Sequence, residues 1–177
     1  GKWFASEWEE GFEPDLVTIA KGIAGGMPIS AVTGRAEIMD SSHPGGIGGT
    51  YGGNPVAAAA AIAVLEQIEA GGVLEAAARI ENVLVPRLKA MQAKYPVIGD
   101  VRGHGAMIAI EFIENDGQLT PNAKAVESLT KHCYANGVLV LNAGTYANVI
   151  RFLPPLAITD ALLNEALDVI EAGIANL

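Results

Sequence analysis

Lys21 is the side chain in this sequence best placed for covalent chemistry. It follows the apolar, β-prone run Leu16-Val17-Thr18-Ile19-Ala20 and precedes Gly22 and the pair Gly25-Gly26, so it stands where a buried strand is expected to end in a turn. Partial desolvation at that point disfavours the ammonium form. A neutral amine attacks carbonyls, which is what a Schiff-base lysine must do. The plain alternative is a lysine that snorkels its head group to water from a strand edge. The second candidate is the loop Gly45-Gly46-Ile47-Gly48-Gly49-Thr50-Tyr51-Gly52-Gly53-Asn54-Pro55. Its glycines would let backbone N–H groups approach an anion, Thr50 adds a hydroxyl, and a helix N-terminus follows. A glycine hinge between domains has the same composition. The third is Arg151, embedded in the apolar run Val149-Ile150-Arg151-Phe152-Leu153. A guanidinium there needs an anionic partner, either an internal Asp or Glu or the carboxylate of a ligand.

Other chemistries find little support. His43, His104 and His132 fall in a loop, a hairpin and a helix, without the spacing of metal ligands. Cys133 is the one cysteine, so no internal disulfide forms, which fits a reducing, cytoplasmic setting. No Gly-Lys-Ser or Gly-Lys-Thr follows the glycine loop and no register of it gives GxGxxG, which disfavours a nucleotide-binding domain. The net charge of −9, with no cluster of Lys and Arg, argues against nucleic acid as a partner. With 50% hydrophobic and 18% charged residues among 177, the composition is that of a folded chain rather than a disordered one. The longest apolar run, Pro55 to Leu65, is far short of the ~20 residues that cross a bilayer. Gly1-Lys2-Trp3-Phe4 has neither an initiator Met nor the layout of a signal peptide, so a fragment of a longer protein is expected.

The elements that must position these residues can be read from pattern. Leu16–Ala20 and Ile29–Thr33 read as short strands, and Asn54-Pro55 as a helix start, since Asn accepts at the N-cap and Pro has no N–H to waste. Gly71-Gly72 ends that helix. A second helix from Val73 to about Lys94 carries Ala77, Ile80, Leu84, Leu88 and Met91 on one face, and Pro86 should kink it. Val97–Val101 and Ala106–Glu111 form a hairpin around Gly103-His104-Gly105. Thr120-Pro121 opens a third helix on Val126, Leu129 and Cys133, Val138–Leu141 and Val149–Phe152 are strands, and a last helix starts at Thr159 or Asp160. This is an α/β chain. The expected break at Gly71-Gly72 leaves residues 1–70 as the tail of a larger sheet with a connecting helix, and 71–177 as a compact α/β unit. Two short strands bury too little to be stable alone.

Taken in order, Asp15-Leu16-Val17-Thr18-Ile19-Ala20-Lys21-Gly22, Gly25-Gly26-Met27-Pro28, Gly49-Thr50-Tyr51-Gly52-Gly53-Asn54-Pro55 and Asn148-Val149-Ile150-Arg151-Phe152 resemble the class III, fold-type I pyridoxal-phosphate aminotransferases. Within that class the resemblance is to the 4-aminobutyrate aminotransferases, and it covers essentially the whole chain. The resemblance implies that residues 1–70 end the large cofactor-binding domain and 71–177 form the small C-terminal domain. Lys21 would then hold pyridoxal 5'-phosphate covalently and shuttle the proton. Thr50 would bind the cofactor phosphate of the neighbouring subunit in a homodimer or dimer of dimers, and Arg151 would grip the α-carboxylate of glutamate or 2-oxoglutarate. In this family the groups that pair with the pyridinium nitrogen, stack on the ring, cradle most of the phosphate and read the distal carboxylate all precede the region present here. The fragment alone is therefore expected to be inactive. The rivals are a class III enzyme for another ω-amine, such as ornithine, acetylornithine or 5-aminovalerate, and a non-catalytic α/β interaction module.

Overall fold

The computed structural model describes residues 1–177, and the chain divides into two compact units, Lys2–Leu74 and Glu75–Leu177 joined by Gly1. In the first, β1 (Leu16–Ile19) and β2 (Ala31–Gly34) pair antiparallel, Leu16 opposite Gly34 and Ile19 opposite Ala31. A 3-10 turn over Lys21–Ala24 follows β1, and a single helical turn, α1 (Ala36–Met39), follows β2. The Gly45–Gly53 loop then leads into α2 (Pro55–Glu69). Asn54 caps α2 as its side-chain type predicts, Oδ1 accepting from the backbone N–H groups of Val56 at 2.9 Å and Ala57 at 3.2 Å. Gly71 and Gly72, both at positive φ, end it.

β1 is not the buried strand expected: its residues alternate between exposed and half-buried, and β2 is exposed throughout. The hydrophobic residues buried in this unit are Ala24 and Ala57 alone. Apolar composition predicted a strand correctly but could not say that nothing in this chain covers its faces.

The second unit holds nearly all of the core. Helix α3 (Val73–Lys94) starts at its margin and continues as one helix through Pro86. The strands β3 (Ile98–His104) and β4 (Met107–Phe112), helix α4 (Ala123–Ala135), strands β5 (Leu141–Ala143) and β6 (Val149–Phe152) and helix α5 (Asp160–Ile174) complete it. The sheet order is β3-β4-β6-β5, antiparallel at every step. Ile108, Ile110 and Phe112 of β4 and Ile150 and Phe152 of β6 pack with Ile80, Leu84, Leu88 and Met91 of α3, Val126 and Leu129 of α4, and Leu163, Leu167 and Ile170 of α5. Each such side chain adds about 1.5–3 kcal/mol when taken out of water. Strand periodicity then puts Ala109, Glu111 and Arg151 on the opposite face of the sheet. No single helix is long and apolar enough to cross a membrane.

Candidate active site

Lys21 opens the 3-10 turn after β1 with φ at +56°. A left-handed backbone at a side-chain-bearing residue costs on the order of 1–3 kcal/mol and persists only where its surroundings impose it. The surroundings here are α2, which packs against the Lys21–Ala24 turn and buries Ala24. The side chain is exposed, and its amine enters no hydrogen bond or ion pair within its unit. The expected desolvation is therefore absent from this chain. The reason is that Lys21 follows a two-stranded ribbon whose residues are exposed or half-buried.

The Thr50 loop shares the same support, since it runs directly into the N-cap of α2. The amide of Gly52 donates to the carbonyl of Gly49 at 2.9 Å, and Gly45 and Gly53 take positive φ. Thr50 is exposed. An open cleft of about 460 Å³ beside it is lined by Pro28, Ile29, Ser30, Tyr51, Gly52 and Gly53. The expectation that the helix N-terminus itself receives an anion needs correction. Pro55 has no N–H, Val56 and Ala57 give theirs to Asn54 Oδ1, and Ala58 gives its own to the Asn54 carbonyl at 2.9 Å. No donor is left in the first turn, so anion contacts at this loop fall to the Thr50 and Tyr51 hydroxyls and the loop amides.

Arg151 lies in the other unit, on β6, opposite Ala109 of β4 and Leu141 of β5. It is exposed and enters no hydrogen bond or ion pair within its unit. Of the two partners its sequence setting allowed, the internal Asp or Glu is not supplied by its unit. The other four arginines all have one: Arg35 with Asp15 and Glu37, Arg79 with Asp160, Arg87 with Asp168 and Glu171, and Arg102 with Asp100 and Glu111. Lys2, Lys89, Lys94 and Lys131 are held as well. Of the 11 Lys and Arg residues, only Lys21, Lys124 and Arg151 have no polar partner in their units. The two cations that sequence reasoning nominated for chemistry are thus among the three that the fold leaves open.

Cys133 is fully buried, and burial pushes its thiol up to about 11, so it is not a nucleophile near neutral pH. No group of three or more His, Cys, Asp or Glu residues is placed to hold a metal. Sequence reasoning missed the surroundings of Arg151. Asn148 is the one buried polar side chain, and its Nδ2 donates to the Phe112 carbonyl at 2.9 Å and to Glu111 Oε1 at 3.3 Å. Ala147 just before it takes φ +54°. Asn148 stood in the motif that contains Arg151, but only the strand register reveals which groups it joins.

The family model "Aminotransferase class-III" matches residues 1–174. The chain belongs to the class III aminotransferases. Members of this class use pyridoxal phosphate. The chain is 52% identical over its full length to the 4-aminobutyrate aminotransferase of Mycobacterium tuberculosis, spanning 40% of that protein. It is 48% identical, again over its full length, to a 5-aminovalerate aminotransferase of Pseudomonas putida, spanning 41% of it. Among solved structures, the acetylornithine aminotransferase of Elizabethkingia anophelis aligns with a TM-score of 0.82 and 32% identity, over 99% of this chain and 42% of that one. A phospholyase from Arthrobacter in complex with phosphoethanolamine aligns with a TM-score of 0.84 and 31% identity, over 94% of this chain and 40% of that one. This class III chain therefore spans about two fifths of the length of the relatives it matches.

Proposed function

We propose that this chain is the C-terminal part of a transaminase that moves the amino group of 4-aminobutyrate to 2-oxoglutarate, giving succinate semialdehyde and glutamate. The observation that carries the reading is that Lys21 and Arg151, one amine and one guanidinium in the places the family pattern reserves for cofactor and carboxylate, are left unpaired by a fold that pairs nearly every other cation. The residues fit the cofactor: a primary amine with no competing partner, and a glycine loop whose hydroxyl faces solvent. Pyridoxal phosphate supplies an electron sink that lets the bond between hydrogen and the amine-bearing carbon break. Lys21 Nζ would hold the cofactor covalently and, as a free amine, would take up and return the substrate proton as general base and then general acid. The Thr50 hydroxyl would donate to the cofactor phosphate of a second subunit, and the active site would then be shared across a homodimer. Arg151 fixes the α-carboxylate of the acceptor by a bidentate fork, which sets the orientation of the carbon that reacts.

The chain by itself does not transaminate in this reading, because two fifths of a class III enzyme lacks the groups that hold the ring. Borohydride reduction of the full-length protein is expected to leave a pyridoxyl mass on the peptide containing Lys21, and Lys21→Ala to abolish it. A reduced protein with no such adduct would favour the non-catalytic module. A second reading, 5-aminovalerate as donor, draws on the 48% identity to an enzyme of that name. Initial rates of the full-length protein with 4-aminobutyrate, 5-aminovalerate, ornithine and acetylornithine separate the donors. A higher kcat/KM for any donor other than 4-aminobutyrate overturns the first assignment.

A further inference from the structure

The register of the C-terminal sheet raises a question about Arg151. Arg102, Ala109 and Arg151 lie side by side across β3, β4 and β6. Glu111 is two residues beyond Ala109 on the same face, which makes it the diagonal neighbour of both arginines. Diagonal neighbours have Cα atoms roughly 7–8 Å apart, within reach of long side chains. By register alone Glu111 could close on either guanidinium. It closes on Arg102. Its Oε2 accepts from Arg102 Nη1 at 2.6 Å, while its Oε1 accepts from Asn148 Nδ2 at 3.3 Å. The same Arg102 nitrogen also donates to Asp100 Oδ2 at 2.8 Å, and Asp100 stands directly opposite Glu111 across the strand pair. Like charges directly opposite repel, so the cation between them is what makes that arrangement tolerable.

We propose that Arg102 is a positioning residue that holds Glu111 away from Arg151 and so keeps Arg151 open for the substrate carboxylate. The inference rests on the assignment of Arg151 as the carboxylate-binding group. Without Arg102, repulsion from Asp100 pushes Glu111 toward the other diagonal, where Arg151 offers an unpaired fork. An internal carboxylate on Arg151 competes with the acceptor's own, and the apparent affinity falls by the fraction of protein left open. Asn148 restrains Glu111 from the second oxygen, but a neutral amide hydrogen bond at 3.3 Å is the weaker of the two holds.

The test compares kcat and KM for 2-oxoglutarate in the full-length holoenzyme. Arg102→Met is expected to raise KM about tenfold, as when only about a tenth of the molecules keep Arg151 open, with kcat within about twofold of wild type. Adding Glu111→Gln removes the competing charge, and the double variant is expected to recover the wild-type KM. Arg102→Lys, which keeps a cation beside Glu111, is expected to leave KM nearly unchanged, and thermal melting of each variant confirms that it is folded. If the double variant keeps the raised KM, or if Arg102→Met leaves KM unchanged while Arg151→Ala raises it, the positioning role is wrong and the assignment of Arg151 stands. An Arg151→Ala protein with a wild-type KM overturns the assignment of Arg151 itself, and this inference with it.

Discussion

Thr50 shows how a single hydrogen-bond inventory narrows a role. A glycine loop before a helix suggests an anion site made of backbone amides, yet Pro55, Val56, Ala57 and Ala58 offer no free donor. Besides the loop's own amides, the hydroxyls of Thr50 and of the exposed Tyr51 are then the side-chain donors the loop can bring to a phosphate, and the proposed function uses Thr50. A hydrogen bond to a charged group contributes about 1.5–3 kcal/mol, so Thr50→Val in the full-length protein is expected to weaken cofactor binding by roughly ten- to a hundredfold, while Thr50→Ser retains it. Equilibrium titration followed by cofactor absorbance reads both, and equal affinity in the Val variant would remove Thr50 from the site. Lys21, Thr50 and Arg151 were all legible as chemical candidates because each breaks a local pattern: a lysine closing an apolar run, a hydroxyl among glycines, a guanidinium within an apolar strand. Their partners were not legible. Whether a cation is paired depends on residues far away in sequence, as Arg79 with Asp160 and Arg87 with Asp168 illustrate, and no local reading supplies that.

At the scale of elements, the helices were the more readable, since capping and a periodic apolar face act within a few residues. Thr159 caps α5 and Asn136 ends α4, each where side-chain type says it should. The third helix begins at Ala123 rather than at Pro121, because Asn122 provides the capping oxygen, Oδ1 accepting from Ala125 N–H at 2.9 Å. Strands were less readable: the run Val138–Leu141 is apolar, but only Leu141–Ala143 pairs with β6, and pairing is decided by the partner strand. Helix α4 also carries a pH signature. Cys133 on its buried face keeps its proton up to about 11, against an ordinary value of 9.0, because burial disfavours the thiolate. An unfolded chain releases that proton around the ordinary value of 9.0. Between these limits the folded state holds the extra proton, so stability is intact below the lower value and falls as pH rises toward the upper one. The difference in unfolding free energy between wild type and Cys133→Val is expected to shift against wild type between pH 9 and 11. A difference that stays flat over that range would show that the thiol is not buried.

For the whole molecule, the uneven distribution of the core makes the two units unequal. Apart from Ala24 and Ala57, every buried hydrophobic residue lies at or beyond Ala77, while Trp3, Phe4, Trp8, Phe12, Leu16 and Met27 of the first unit are exposed. A unit whose sheet is two strands of four residues each cannot offset the ~1–2 kcal/mol per residue that ordering its backbone costs. The second unit has a four-stranded sheet under three helices, and the aliphatic side chains of all three meet over one face of that sheet. The segment 73–177 is therefore expected to unfold in urea as a single cooperative transition, with far-UV circular dichroism and tyrosine fluorescence changing together. The segment 1–74 is expected to show neither a sigmoidal urea transition nor dispersed amide resonances, and its exposed aromatics should bind a hydrophobic dye. A sharp, probe-independent transition from residues 1–74 alone would mean that the strand ribbon and α2 generate a core of their own.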